Sequence, residues 1–134
     1  MIFRFLIFIF LILIFFSCID NRAPSGISSI LLYGEGDCMP PVNENSREYK
    51  LYNGKVYVVE KSLAESFNQN HYDTLKTLSL KTEAVNGGFS LFVSPGSYYV
   101  MPDTMFYVSP ENLITIHPDD LIDREFRFFK CTSF

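Results

Sequence analysis

The sequence predicts an all-β protein, an antiparallel two-sheet sandwich of about seven strands with one short helix in a strand connection. Short segments in which apolar and polar residues alternate recur along the chain after residue 26. Turn pairs interrupt these segments at Asn53-Gly54, Asn86-Gly87 and Pro95-Gly96. The same strand spacing also fits a small barrel, and the sequence does not separate the two architectures.

The predicted strands are rich in β-branched and aromatic residues and have a turn signal at one or both ends. They cover residues 27–33, 53–60, 75–83, 89–93, 97–101, 105–109, 113–117 and 124–131. In segment 75–83, Leu78 and Leu80 alternate with polar residues, which is the period of a half-buried strand. Pro95-Gly96 predicts a type II turn that pairs the strands on either side of it.

One helix is predicted between these strands. Ser62 lies three residues before Glu65, which is the spacing of a capping box ahead of a short apolar face. We therefore expect a short helix over residues 62–67, followed by a loop over residues 68–73.

The first residues predict export. Arg4 is the only charged residue before Asp20, and the 12 residues from Phe5 to Phe16 are all apolar. A membrane-spanning helix needs about 20 such residues, whereas a secretory signal peptide needs fewer. The segment that ends in Ser17 and Cys18 resembles the signal of bacterial lipoproteins, which is cut before a cysteine that carries diacylglycerol. An uncleaved anchor helix and a signal cut elsewhere are the alternatives.

This resemblance implies a division into three parts. Residues 1–17 are predicted to be a signal peptide, residues 18–26 a lipidated flexible tether, and residues 27–134 the β-sandwich domain. Acyl chains such as palmitate on Cys18 would hold the protein on a membrane of the bacterial cell envelope, on the periplasmic side or at the surface.

The other two cysteines are interpreted from this location. If Cys18 carries lipid, Cys38 and Cys131 remain outside the cytoplasm, where disulfides persist. We predict a disulfide between them, with two free thiols as the alternative. A catalytic or metal-binding role is disfavoured, because the two histidines, His71 and His117, lie in no recognisable motif.

Size and charge limit the classes of partner. Without residues 1–17, the chain of 134 residues keeps 117, which is enough for one domain with a core. It then carries 10 basic and 15 acidic side chains, a net charge of −5. Nucleic-acid binding is not expected, since its affinity depends on basic side chains that neutralise phosphates.

The segment TEAVNGGFSLFVSPGSYYV, residues 82–100, resembles the hairpin of carboxypeptidase regulatory-like domains. Over residues 27–131 the chain is also similar to a group of short exported bacterial proteins, through Gly36, Asp37, Cys38, Met39, Pro40, the segment 56–60, Phe126, Phe128 and Phe129. The resemblance implies a transthyretin-like (prealbumin-like) sandwich with an accessory, non-catalytic role. The enzymatic branch of that fold ends in Tyr-Arg-Gly-Ser, whereas this chain ends in Lys-Cys-Thr-Ser-Phe.

Two acidic clusters are candidate metal sites. Glu35 and Asp37 flank Gly36, but Ca²⁺ takes about six to eight convergent oxygen ligands. A second set with nitrogen and oxygen ligands consists of His117, Asp119, Asp120 and Asp123. Solvated loop charges explain both clusters more simply, and the chain has no Gly-x-Ser-x-Gly, no His-Glu-x-x-His and no phosphate-binding Gly-rich motif. We predict no metal, no cofactor and no catalytic residue.

The tyrosines suggest binding. Eight are present, at positions 33, 49, 52, 57, 72, 98, 99 and 107. Tyrosine is frequent at protein interfaces, and strand alternation places Tyr98 and Tyr99 on opposite faces, so that only one of them need be core. We therefore predict a structural or protein-binding module of the cell envelope, with recognition through a sheet face or the loop 34–47. The alternatives are a carbohydrate-binding module that uses exposed tyrosines and a hydrolase that uses the acidic loops.

Overall fold

The computed structural model describes residues 23–41 and 43–133, and these form two β-sheets. The nine strands are β1 Gly26–Asp37, β2 Lys50–Leu51, β3 Gly54–Glu60, β4 Leu80–Ala84, β5 Gly88–Phe92, β6 Gly96–Pro102, β7 Leu113–Ile116, β8 Leu121–Ile122 and β9 Glu125–Ser133. Two helices, α1 Lys61–Ser66 and α2 Tyr72–Leu78, connect β3 to β4. The predicted two-sheet sandwich is confirmed, with two further two-residue strands and a second helix. Residues 1–17 and Cys18 lie outside the described residues, so their assignments stay predictions.

Sheet A has five strands joined through β1. β1 pairs antiparallel with β2 and β5. It pairs parallel with β8 and with β9, and the latter pairing runs from Ile30 opposite Glu125 to Asp37 opposite Ser133. The sheet is therefore mixed rather than wholly antiparallel. Residue alternation reveals which face of a strand is buried but carries no information on strand direction, and for this reason the sequence did not disclose the parallel pairs.

Sheet B has four antiparallel strands in the order β4-β3-β6-β7, and its two central strands are buried on both faces. In β3, Val56 and Val58 pack between the sheets, whereas Tyr57 and Val59 pack beneath the helices. Burial on both faces explains why this segment reads as a continuous apolar run.

Two apolar clusters stabilise the fold. The cluster between the sheets includes Ile27, Leu31, Val58, Val100, Phe126 and Phe128. The second cluster lies between sheet B and the helices and includes Leu75, Ala64, Tyr99 and Met101. Tyr98 and Tyr99 do lie on opposite faces, as predicted, but both are buried because sheet B is covered on both sides.

The Asn86-Gly87 turn is confirmed, and the Pro95-Gly96 turn is wrong. Asn86 and Gly87 have φ angles of 49° and 79°, as tight turns with two left-handed residues require. Gly96 does not have a positive φ and already belongs to β6 in sheet B, whereas β5 belongs to sheet A. The residues between the two strands carry the chain across the sandwich, and Val93 hydrogen-bonds to Ser25 instead of closing a hairpin.

Segment 75–83 contains a helix end and a strand rather than one strand. Leu75 lies in α2 and is fully buried against sheet B, and β4 starts only at Leu80. Leu78 and Leu80, whose alternation predicted the strand, are both exposed. The apolar period thus did not reflect a buried face.

The predicted helix is confirmed one residue earlier, without its capping box. Ser62 lies inside α1 and donates a hydrogen bond to the Glu60 carboxylate at 2.8 Å. Glu65 pairs with Lys61 on the same helix at 2.9 Å. Since α1 follows β3 directly, its first residues continue from a paired strand and have no side-chain cap.

Segment 105–109 was predicted to be a strand but pairs with no strand. Its alternation is real, because Met105 and Tyr107 pack on the cluster between the sheets while Phe106 and Val108 pack on the cluster beneath the helices. The segment lies in the connection between β6 and β7 and contributes to both cores. Burial on two sides therefore produced a strand pattern without ladder hydrogen bonds.

Candidate interaction surface

The two sheets differ in what covers their outer faces. Helices α1 and α2 pack on β3 and β6 of sheet B. Within the described residues, no helix packs on the outer face of sheet A. That face carries four large apolar side chains that are about half exposed or more, namely Ile30 (47%), Leu51 (52%), Phe92 (73%) and Leu121 (51%).

An aromatic–arginine cluster lies on this face and consists of Arg47, Tyr49, Arg127 and Phe129. The Tyr49 and Phe129 rings meet edge to face, with 5.8 Å between their centroids. The Arg47 guanidinium lies 4.6 Å from the centre of the Phe129 ring, and the Arg127 guanidinium lies 5.8 Å from that of Tyr49. Both distances are within the range of cation–π attraction.

The strand geometry places the Phe129 ring. Phe129 pairs with Gly34 across the parallel β1–β9 ladder, and its ring lies over that glycine. A β-carbon added at Gly34 would come within 2.3 Å of the Glu48 backbone oxygen and within 2.9 Å of the Phe129 ring carbon Cδ2, which leaves no room for any other residue. Gly34 and Gly36 were predicted to belong to a loop, but they lie in β1 because a backbone without side chains lets the ring approach.

The Cys38–Cys131 disulfide holds the loop that supplies Arg47 and Tyr49. This predicted bridge is confirmed, with 5.4 Å between the two α-carbons. It joins the residue after β1 to β9, two residues beyond Phe129. Asn43 then accepts a hydrogen bond from the backbone N–H of Asn45, which caps the turn that precedes Arg47.

The arginines keep donors available. Arg127 donates through Nε to Glu125 at 2.5 Å. Arg47 lies 3.8 Å from Glu44, and among the described residues its buried Nε has no hydrogen-bond partner. Because a guanidinium has five N–H donors, both side chains can bond further acceptors.

The acidic residues beside this cluster are engaged in local hydrogen bonds. Asp37 accepts hydrogen bonds from the Ser133 hydroxyl at 2.6 Å and from the Met39 backbone N–H at 2.8 Å. These bonds, that of Ser133 first, hold the pKa of Asp37 below its ordinary value. Glu35 instead accepts from the Tyr33 hydroxyl at 2.6 Å.

The second acidic set lies at the other end of sheet A. The backbone carbonyl of His117 closes a turn by accepting from the Asp120 backbone N–H, and Asp119 in this turn has a φ of 61°. The Asp120 carbonyl accepts from the backbone of Gly26 at 2.9 Å. Among residues 23–41 and 43–133, no group of three or more His, Cys, Asp or Glu side chains is arranged to hold a metal ion.

An open cleft of about 500 Å³ lies beside the cluster, between sheet A and the turn at residues 103–105. Tyr33 and Tyr52 line it, with ring centroids 6.0 Å apart. Burial, reinforced by the Glu35 carboxylate, raises the pKa of Tyr33 to about 12. The Tyr52 hydroxyl donates to the Lys55 carbonyl. Both phenols are neutral at pH 7 and are bonded internally, so that neither tyrosine is an activated nucleophile.

None of the eight tyrosines is exposed. Four are buried, at positions 52, 57, 98 and 99, and four are partly buried, at positions 33, 49, 72 and 107. The ring pairs that include tyrosine are tilted or edge to face, with interplanar angles from 57° to 85°. The row of exposed tyrosines on which the carbohydrate alternative depended is therefore not present.

The two arginines of the cluster were not among the residues predicted from the sequence. Arg127 and Phe129 are two residues apart in β9 and therefore share a face, a signal that the segment REFRFFK contains. No sequence pattern around Arg47 indicated its role, because only the fold of the loop brings its side chain over the Phe129 ring. The sequence did indicate the region, since both a sheet face and the loop 34–47 contribute.

Comparisons with protein-family models, with curated proteins and with solved structures found no match to this chain. The resemblance to carboxypeptidase regulatory-like domains and to lipoproteins therefore stays a prediction. Within the described part of the chain, no helix is long and apolar enough to span a membrane.

Proposed function

We propose that this protein is a non-enzymatic, lipid-anchored module of the bacterial cell envelope that binds a partner protein through sheet A. The binding surface consists of the aromatic–arginine cluster together with Leu51. The observation that carries the proposal is the uncovered face of sheet A, where Leu51 stays half exposed although the fold covers sheet B with helices.

The composition of the surface favours a protein partner. Interface cores are enriched in aromatic residues and arginine, and the residues that dominate binding energy are most often Trp, Tyr and Arg. Tyr49, Phe129, Arg47 and Arg127 supply these types beside an exposed leucine. The rings fix the guanidinium planes, which leaves less side-chain freedom to lose on binding.

The partner that fits has apolar groups opposite Leu51 and acceptors opposite the arginines. Such acceptors are carboxylates or main-chain carbonyls, which bond well to guanidinium N–H groups. The partner lies in the envelope, where lipid on Cys18 would hold the domain. The eight tyrosines are buried or partly buried, and the carbohydrate alternative therefore receives no support from an exposed row of tyrosines.

The proposal is tested with photo-crosslinking residues at two matched leucines of the full chain in its native membrane. Leu51 lies on sheet A and Leu78 lies at the end of α2, and their exposed fractions are 52% and 57%. We expect one discrete protein adduct from position 51 and none from position 78. The adduct should be lost in the Arg127→Gln variant, since the partner's acceptors then lack their donor.

Equal adducts from both positions, or an adduct that Arg127→Gln leaves unchanged, would contradict the assigned surface. The anchor is tested separately by the intact mass of the purified protein. A mature chain that begins with an acylated Cys18 is expected, and an unmodified Cys18 would exclude the lipid anchor.

A further inference from the structure

Phe92 and Leu121 are exposed at the end of sheet A where β1 begins. Both pair with Gly26, Phe92 from β5 and Leu121 from β8. Paired residues of neighbouring strands share a face, so the two side chains flank the glycine on the outer face. Their exposed fractions, 73% and 51%, are large for apolar side chains within a sheet.

The chain enters the domain between these two residues. Ser25 is fixed beside β5, because its hydroxyl donates to the Val93 carbonyl at 2.7 Å and its own carbonyl accepts from the Val93 N–H at 3.1 Å. The entry point is therefore part of the folded structure, and Phe92 is held next to it. Any segment that precedes Ser25 must leave from this end of sheet A.

We propose that Phe92 and Leu121 form a membrane-contacting rim, which inserts into the interfacial layer of the lipid surface on which the domain is anchored. This inference rests on the proposed lipid anchor at Cys18. Gly26 lies eight residues after Cys18, and a fully extended segment of that length spans at most about 29 Å. The tether thus makes this end of the sheet the part of the domain that is joined most closely to the bilayer.

The chemistry of the rim fits a lipid surface. Aromatic and aliphatic side chains partition into the boundary between headgroups and acyl chains, where phenylalanine and leucine are the apolar residues of many interfacial segments. The neighbouring Asp119, Asp120 and Asp123 are acidic and would be repelled by anionic headgroups. The rim is therefore expected to contact zwitterionic lipid and to contact anionic lipid less.

The contact would orient the domain. Leu51 lies opposite Leu32, six residues along β1 from Gly26, which corresponds to about 20 Å. With the rim in the interface, the aromatic–arginine cluster and the disulfide face away from the membrane. A protein partner would then be bound at the end of the sheet that is farthest from the lipid.

The test uses tryptophan fluorescence, because the chain contains no tryptophan. The full acylated protein is prepared as Phe92→Trp and as Leu121→Trp, with Leu51→Trp as the matched control on the same face. Each is reconstituted into phosphatidylcholine vesicles with or without bromine on the acyl chains. We expect blue-shifted emission that brominated lipid quenches at positions 92 and 121, no quenching at position 51, and weaker quenching in phosphatidylglycerol vesicles.

Flotation of the vesicles separates the two possible failures. If the protein floats with the vesicles but positions 92 and 121 are no more quenched than position 51, the rim is wrong and the anchor stands. If the protein does not float and Cys18 carries no acyl chain, the anchor is wrong and the rim is excluded with it. All three positions are exposed, so that the substitutions should leave the fold intact, which circular dichroism verifies.

Discussion

Sheets A and B differ in how many of their faces are buried. In sheet B both faces of the central strands are buried, one against sheet A and the other beneath α1 and α2. In sheet A only the inner face is buried, and the outer face keeps Ile30, Leu51, Phe92 and Leu121 in solvent. The same chain thus contains one sheet whose central strands are covered on both faces and one sheet that is open on one side.

This difference shows which apolar residues the fold requires. Val59 and Leu75 are apolar because the helices need a surface on which to pack. The exposed residues on sheet A contribute to neither cluster, and folding does not explain their apolar character. Single exposed apolar residues are ordinary, but four on one face of one sheet indicate contacts outside the domain.

We expect the largest effect on stability from removing the Cys38–Cys131 disulfide, which joins the residue after β1 to β9 in sheet A. The bridge spans 93 residues, and the chain-entropy model assigns a loop of that length about 4–5 kcal/mol. The double variant Cys38→Ser, Cys131→Ser should lose a free energy of unfolding of this order in chemical denaturation. Reductant should destabilise the parent protein and leave the variant unchanged. An unchanged free energy of unfolding would show that sheet A does not depend on this bridge.

The second prediction compares the free energies of unfolding of two variants, one on the outer face of each sheet. Leu75→Ala opens a cavity beneath α2 and should lower the free energy of unfolding by about 2–5 kcal/mol. Leu51→Ala on sheet A should change it by less than about 0.5 kcal/mol, because that side chain is exposed. Urea unfolding measures both changes, and m-values equal to that of the parent protein would show that the differences are differences in stability. A large loss for Leu51→Ala would mean that this residue is structural and would weaken its role in binding.

Much of the fold was predictable from the sequence because burial leaves a periodic trace. Strands β3, β5, β6, β7 and β9 were predicted within two residues of their observed bounds, and so was α1. The disulfide followed from the compartment and the cysteine count. These features depend on local chemistry, which a single sequence records.

Two of the errors arose because a sequence pattern does not identify the tertiary neighbours that produce it. Segment 105–109 alternates because it touches two cores, and Gly34 and Gly36 suggested a loop although they make room for Phe129. The candidate surface was even less predictable, since Arg47 reaches Phe129 only through the tertiary fold.

The smallest expected effect concerns the ion pair between Lys76 of α2 and Asp103, which helps to hold the helices on sheet B. The Lys76 ammonium of α2 donates to Asp103 in the turn after β6 at 2.8 Å. This hydrogen bond holds the pKa of Asp103 below its ordinary value. The unfolded chain therefore binds the proton first as the pH falls. The stabilisation is complete above the unfolded pKa of about 3.9 and is lost as the pH falls through the lower folded value.

Because both side chains are partly exposed, the ion pair should contribute less than about 1 kcal/mol at pH 7. Asp103→Asn should remove that amount at pH 7, and its deficit relative to the parent protein should shrink towards pH 2. A double-mutant cycle with Lys76→Gln isolates the pairwise term, since Lys76 also lies 5.1 Å from the centre of the Phe106 ring. A deficit that does not change with pH would mean that Asp103 acts through the turn itself. In that case the helices are held on sheet B by apolar packing alone, and the contrast between the two sheets rests entirely on their buried surfaces.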